Sequence, residues 1–169
     1  DMQLVEDIRH TDVNMAFLPF HHIFGSTGLI VMLACGVKTV FTDGLRYVRQ
    51  NLAEYGVTLF VAVPVILDSM YKNVLNGIKK QGKDKLLKRL DAVAQALLKL
   101  KIDIRRTVYK PVLNQLGGKL RFIISGGAAL DPAVAIGFSK MGIHIVQGYG
   151  LTETSPVIAA ENKYLSKSG

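Results

Sequence analysis

Five short runs rich in apolar and β-branched residues restrict the architecture of this chain more than any other feature. They are Met15 to Phe20, Val37 to Phe41, Val57 to Val63, Leu120 to Ser125 and Ile143 to Val146. Runs of this length with little polar alternation read as strands buried on both faces. Helical patterns lie between them. Gly28 to Leu33 reads as an apolar helix, and Leu45 to Tyr55 follows Asp43 as its cap and ends before Gly56. Pro64 to Ile78 opens on a proline suited to a first helical turn and stops near Gly77 and Gly82. Asp131 and Pro132 supply an N-cap and a first position for Ala133 to Met141, which stops at Gly142. The alternation predicts an α/β fold with a mostly parallel sheet and helices on both faces.

The segment Lys83 to Lys101 breaks that rhythm. Leu86, Leu87, Leu90, Val93, Ala94, Leu97 and Leu98 recur at helical spacing, with Lys85, Lys88, Arg89 and Lys99 largely off that face. A second helix, Arg106 to Leu116, closes at Gly117-Gly118. Residues 79–118 therefore read as a basic helical insertion within one partial domain spanning 1–169. The charge is concentrated there. Eleven basic residues face three aspartates between Lys79 and Lys110, which accounts for the whole net charge of +8. The remainder is balanced, so a general nucleic-acid surface is excluded and no specific nucleic-acid partner is expected. The insertion admits two readings, a solvated helical hairpin or a peripheral contact with an anionic membrane.

At 169 residues and 49% hydrophobic, the chain suffices for one ordinary core. Asp1 to Asp12 is polar and lacks a signal-peptide apolar region, and the longest apolar run, Leu29 to Cys35, falls far short of a membrane span. Cys35, the one cysteine, excludes an internal disulfide and reads as a small buried hydrophobe. The expectation is a soluble cytoplasmic protein, peripheral to a membrane if the basic helices touch one. The first residue, Asp1, and the unremarkable end Lys167-Ser168-Gly169 suggest a piece of a longer polypeptide, whose remaining parts would be partners.

Three strand-end segments carry chemistry. Gln147 to Pro156 places Gly148 and Gly150 around Tyr149, followed by Thr152 and Glu153. The glycines let backbone approach a ligand, Tyr149 offers an aromatic face, Thr152 a neutral donor and Glu153 a hard oxygen ligand of the kind Mg²⁺ prefers. Leu18-Pro19-Phe20-His21-His22-Ile23-Phe24-Gly25 sets two histidines beside two phenylalanines, suited to a carboxylate on an apolar group. Either histidine could face the ligand. Ile124 to Asp131 runs from a strand into Gly126, Gly127 and Ala128, leaving backbone groups free to meet a flat ligand edge.

The Tyr149-Gly150-Leu151-Thr152-Glu153 string resembles the Y-G-x-T-E signature of the adenylate-forming (AMP-binding) superfamily. Pro19 to Gly25 resembles its P-x-x-H-x-x-G motif, and Ser125 to Leu130 its S-G-G-A-x-L element. The stretch Val63-Pro64 to Tyr71, followed by the helical insertion, is similar to the long-chain acyl-CoA synthetase branch. The resemblance implies an internal fragment of the large N-terminal domain of an ATP-dependent acid–thiol ligase. That enzyme joins a long-chain fatty acid to ATP as acyl-adenylate and passes it to coenzyme A. By the same resemblance, His22, Thr152 and Glu153 are catalytic, with Glu153 the Mg²⁺ ligand. Gly126, Gly127, Ala128, Gly148, Tyr149, Gly150 and Thr152 bind the nucleotide, and His22 and Phe24 border the acyl substrate.

Other elements that the resemblance implies are missing from these residues: the Ser/Thr/Gly-rich phosphate loop ending in Lys, the ribose-binding aspartate and the C-terminal catalytic lysine. The isolated chain is therefore expected not to catalyse adenylation. Two other classes compete. A nucleotide-dependent oxidoreductase would need Gly148-Tyr149-Gly150 to open a dinucleotide fingerprint, but its third glycine would fall on Glu153. A non-enzymatic module would bind anionic membrane or nucleic acid through the basic helices, independently of ATP.

Overall fold

The alternation of strand and helix folds into one sheet flanked by helices, seen in a computed structural model that describes residues 8–80, 82 and 84–161. The strands are β1 (Val13–Ala16), β2 (Lys38–Phe41), β3 (Leu59–Ala62), β4 (Phe122–Ser125), β5 (His144–Tyr149) and β6 (Ala159–Ala160). Their order across the sheet is β2-β1-β3-β4-β5-β6. The first five are parallel; β6 runs antiparallel to β5, pairing Gly148 with Ala160 and Tyr149 with Ala159.

The helices are α1 (Ile23–Ala34), α2 (Val48–Glu54), α3 (Pro64–Lys80), α4 (Asp84–Lys99), α5 (Arg105–Val108), α6 (Lys110–Leu113) and α7 (Pro132–Lys140). Strand pleating divides the apolar side chains between two cores. Leu59, Val61, Phe122, Ile124 and Val146 pack on one face with Met32 of α1. Met15, Phe60, Ala62, Ile123 and Ile145 pack on the other with residues of α2, α3, α6 and α7. The expected sheet with helices on both faces is observed. Because the chain leaves β1 for β2 on one side and then crosses to β3 on the other, the sheet has a topological switch point between β1 and β3.

Several boundaries differ from the sequence pattern, each for a local reason. The first strand spans Val13–Ala16 rather than Met15 to Phe20. Its start is hidden by two polar residues, Asp12 and Asn14, that are almost fully buried. The chain then turns at Pro19, whose carbonyl accepts the His22 N–H at 3.1 Å. Helix α1 begins at Ile23, well before Gly28, its weak formers Gly25, Ser26 and Thr27 being held by packing on the sheet. Asp43 does not cap the next helix; its carboxylate accepts from Asn51 Nδ2 at 2.7 Å, and a 3₁₀ turn, Leu45–Tyr47, precedes α2. The single helix expected over Arg106 to Leu116 is broken into α5, α6 and a 3₁₀ turn, Asn114–Leu116, because Pro111 has no N–H to donate. Strand β6 had no sequence signal, being two alanines long. Lys83 and the side chains of Lys85, Leu86 and Lys88 lie outside the described residues.

At the amino ends of the strands, Asp12 ties three of them together. Its carboxylate accepts from Arg121 Nε at 3.0 Å, from Thr58 Oγ1 at 2.7 Å and from the Arg9 N–H at 2.8 Å, and Arg121 NH2 closes the ion pair. Burial pushes the Asp12 carboxyl up, but Arg121, Thr58 and the Arg9 amide together outweigh that and hold it below its ordinary value. A carboxyl lowered on folding contributes stability above its unfolded pKa of about 3.9, and this is lost as pH falls through the folded value. Asp12→Asn is expected to cost about 2 kcal/mol at neutral pH. Urea unfolding at pH 7 and at successively lower pH should show the wild type converging on the variant in acid.

Arg106 performs the equivalent task for the helical segment. Its guanidinium donates to the carbonyls of Leu120 (2.9 Å), Gly142 (3.2 Å) and Gly118 (3.0 Å), pinning α5 to the loops that lead into β4 and β5.

Candidate active site

Five strand ends open onto one cleft. Phe17, Leu18 and Pro19 follow β1, Leu45 follows β2, Val63, Val65 and Ile66 follow β3, Gly126 and Gly127 follow β4, and Gly148 and Tyr149 close β5. His22, Ile23, Phe24 and Gly25 enter from the start of α1, and Gly150, Leu151, Thr152, Pro156 and Val157 from the loop after β5. The cleft holds about 780 Å³, within the usual range of small-molecule sites. It sits at the carboxyl edge of the parallel strands, beside the switch point, where open α/β sheets bind ligands.

Each turn is built by short-range chemistry. In the first, Pro19 reverses the chain and His22 becomes the residue before α1, in extended conformation and with its side chain uninvolved in capping. The imidazoles of His21 and His22 lie 4.4 Å apart, yet only His22 lines the cleft. That resolves which histidine faces it.

In the second turn, the Gly126 N–H donates to the Ala62 carbonyl at 3.2 Å, and Asp131 caps α7 by accepting from the Ala133 N–H at 2.8 Å. Leu130 N–H donates to Gln147 Oε1 at 3.3 Å, so a side chain from β5 holds the glycine loop in place. A Cβ on Gly126 would lie 2.9 Å from Phe24 Cζ, so the ring of the first turn covers the backbone of the second.

The third turn leaves β5 at Tyr149, whose carbonyl accepts from Ile158 N–H at 2.9 Å. Thr152, Glu153 and Thr154 form a 3₁₀ turn, closed where Leu151 N–H donates to Thr154 Oγ1 at 3.0 Å. A Cβ on Gly150 would collide with the Pro156 carbonyl, so only glycine lets the loop fold back on itself here. Tyr149 is 65% exposed and lines both the cleft and the hollow beside it.

Two expected residues stand apart from the main cleft. Ala128 lines an adjoining hollow of about 740 Å³, which shares Gly127, Gly148, Tyr149, Gly150 and Leu151 with it. Glu153 lies exposed on the same turn as Thr152, outside the lining of either space. Phe17, Val63, Val65, Ile66 and Val157 were not singled out from sequence, although Val63 and Val65 flank the proline that opens α3. Their only signal is position at a strand end. Among the described residues, none of those lining the cleft is Lys, Arg, Asp or Glu.

A model of the AMP-binding enzyme family matches residues 1–168. This chain belongs to that family. Among the AMP-binding enzymes it is similar to long chain acyl-CoA synthetase 6, peroxisomal, of Arabidopsis thaliana. The two are 34% identical over 158 residues, covering 88% of this chain and 22% of that protein. It is also similar to long-chain-fatty-acid–CoA ligase 5 of Rattus norvegicus, 29% identical over 149 residues, covering 84% of this chain and 22% of that one. The chain thus spans less than a quarter of the length of these relatives.

Among solved structures, the N-terminal domain of FACL13 from Mycobacterium tuberculosis superposes with a TM-score of 0.63 at 20% identity, covering 99% of this chain and 35% of that one. The anthranilate CoA ligase AuaEII, crystallised with anthranoyl-AMP, gives 0.66 at 18% identity, covering 98% and 26%. At such identities the superposition speaks to fold, which is that of an adenylate-forming N-terminal domain.

Proposed function

We propose that this AMP-binding chain is the central part of the adenylation domain of a long-chain fatty acid–CoA ligase, and that its cleft holds the fatty acyl-adenylate. The observation that supports this reading is the convergence of three distant turns, Pro19 to Gly25, Gly126 to Ala128 and Gly148 to Thr152, on one cleft and the hollow adjoining it. The cleft also combines an apolar wall with backbone and aromatic groups that suit a nucleotide. Phe17, Phe24, Val63, Val65 and Ile66 supply apolar surface for an acyl chain. Tyr149 offers its ring to adenine, with the backbone of Gly126, Gly127 and Ala128 along the other side of the base.

The chemistry follows from charge. A fatty acid carboxylate attacks the α-phosphorus of ATP, and two anions must approach each other. The Thr152 hydroxyl donates a hydrogen bond to the α-phosphate, and His22 orients the carboxylate against it. Pyrophosphate leaves; the thiol of coenzyme A then displaces AMP from the acyl carbon. Glu153 suits Mg²⁺ arriving with ATP, because that ion is commonly held by one or two carboxylates plus substrate phosphates. When bound, Mg²⁺ neutralises phosphate charge and makes the α-phosphorus more electrophilic.

Among the described residues no Lys or Arg lines the cleft, and on this reading further positive charge is supplied by the rest of the polypeptide. The isolated 169 residues are accordingly inactive. Ile30 and Leu33 of α1 and Phe41 at the end of β2 are exposed apolar residues that those parts could cover. We take residues 79–118 as a helical insertion in this domain, acting from the cytoplasm as a peripheral membrane contact near the fatty acid supply.

The test is fatty-acid-dependent exchange of pyrophosphate into ATP by the full-length protein. Exchange with a long-chain acid, and none without acid, is expected. Tyr149→Ala should raise the KM for ATP about tenfold with a smaller change in kcat, since loss of one base–aromatic stack is worth about 1–3 kcal/mol. Exchange driven by no fatty acid would sink the proposal.

A further inference from the structure

Asn14 is a polar side chain in an apolar place. It is 2% exposed, and its Oδ1 has no hydrogen-bond partner among the described residues. The other end of the amide is engaged, Nδ2 donating at 3.5 Å to Oγ1 of Thr39, its register partner on β2. Strand pleating turns Asn14 away from the core that holds Met15 and towards α1. There it lines a small cavity of about 10 Å³, bordered by Gly25, Gly28 and Leu29 of α1. Phe17, Leu18 and Gly25 line both this cavity and the cleft, so the two spaces adjoin.

A buried amide oxygen without a donor costs stability, and native folds leave few of them. The space beside Asn14 suits one water-sized group, yet water itself is poorly served there. A buried water makes about three hydrogen bonds, and among the described residues no lining side chain other than Asn14 carries a nitrogen or oxygen atom. A hydroxyl on an aliphatic chain fits better. It needs one partner, its carbon packs against Phe17, Leu29 and Val61, and as both donor and acceptor it serves the amide whichever end faces inward. We infer that Asn14 is a specificity-determining residue, and that the cleft takes a fatty acid hydroxylated along its chain, with the hydroxyl on the Asn14 amide. This inference rests on the fatty-acid reading of the cleft. On that reading the carboxylate sits at His22, whereas Asn14 lies about 10 Å back along the chain from Phe17. The hydroxyl is therefore remote from the carboxyl group.

The experiment is acid-dependent exchange of pyrophosphate into ATP by the full-length protein, comparing a long-chain acid with its 2-hydroxy, mid-chain hydroxy and terminal hydroxy counterparts. A remote hydroxyl should raise kcat/KM about tenfold over the unsubstituted acid, because it satisfies a buried polar atom that the parent acid leaves bare. The 2-hydroxy acid, whose hydroxyl stays beside the carboxylate, should show no gain. Asn14→Leu, similar in shape but without the amide, should abolish the gain and favour the unsubstituted acid. Gly28→Ala offers a second readout. Its Cβ would lie 3.6 Å from Val61 Cγ1, an ordinary contact inside this cavity, and alanine is the better helix former. That variant should lose the gain with a thermal midpoint no lower than the wild type's.

Wild-type exchange that is no faster with either remote hydroxy acid would overturn the inference and leave the ligase reading standing. A gain confined to the 2-hydroxy acid would do the same, as would a gain that survives in folded Asn14→Leu or Gly28→Ala protein. Exchange with none of these acids would remove the ligase reading and this inference with it.

Discussion

Gly150→Ala should reduce fatty-acid-dependent adenylation by at least about 100-fold. A Cβ at this position is driven into the carbonyl of Pro156, an atom of the backbone that no side-chain rotation can move. The loop from Gly150 to Pro156 must open to admit it. That loop is held by Leu151 N–H on Thr154 Oγ1 at 3.0 Å and by Thr154 Oγ1, 2.9 Å from the carbonyls of both Leu151 and Pro156. Opening it moves Tyr149 and Thr152 together, and a displacement of about 1 Å in a positioned group costs on the order of 100-fold. The sheet core does not depend on the loop, so circular dichroism and urea unfolding should differ little from wild type. A Gly150→Ala protein with wild-type exchange kinetics would contradict the geometry assigned to the third turn.

Glu153→Gln should lower kcat by about 100-fold or more while leaving the thermal midpoint unchanged. The carboxylate is exposed at the tip of a 3₁₀ turn and supports no hydrogen bond or ion pair of the fold among those described. Its replacement by the isosteric amide therefore removes a negative oxygen ligand and little else. Loss of a preorganised charge interaction at a reacting phosphate is worth about 3–4 kcal/mol. Raising Mg²⁺ should recover part of the rate for Glu153→Gln but none for Gly150→Ala, which separates a ligand defect from a misplaced turn. If kcat is unchanged and Mg²⁺ dependence is that of the wild type, Glu153 is a solvated loop residue.

These turns were legible in the sequence because each compresses unusual demands into a few positions. Alone, a glycine turn with a tyrosine, a hydroxyl and a carboxylate reads as an ordinary strand end; the resemblance of three such segments, in order, to one family's motifs gave them meaning. Sheet class was legible as well, since runs such as Phe122 to Ser125 lack the polar alternation of a half-exposed strand. What escaped were features set by tertiary context. Asp12 and Asn14 look like loop residues until Arg121 and Thr58, more than 40 positions away, satisfy the aspartate.

The apolar wall of the cleft was invisible for a related reason. Phe17, Val63 and Ile66 are ordinary core-type residues in composition, and only the end of a strand distinguishes them. Pro111, by contrast, announced a break in the helix that periodicity alone ran through. Neither the partner histidine's outward position nor the placement of Ala128 in a second hollow could be read without coordinates.

The most direct measurement is a crystal structure of the full-length protein with a non-hydrolysable long-chain acyl-sulfamoyl adenosine. Adenine should lie between the Tyr149 ring and the Gly126 to Ala128 backbone, with the acyl chain against Phe17, Phe24, Val63 and Ile66. Density for the analogue anywhere else, or an adenine that leaves Tyr149 untouched, would contradict the account.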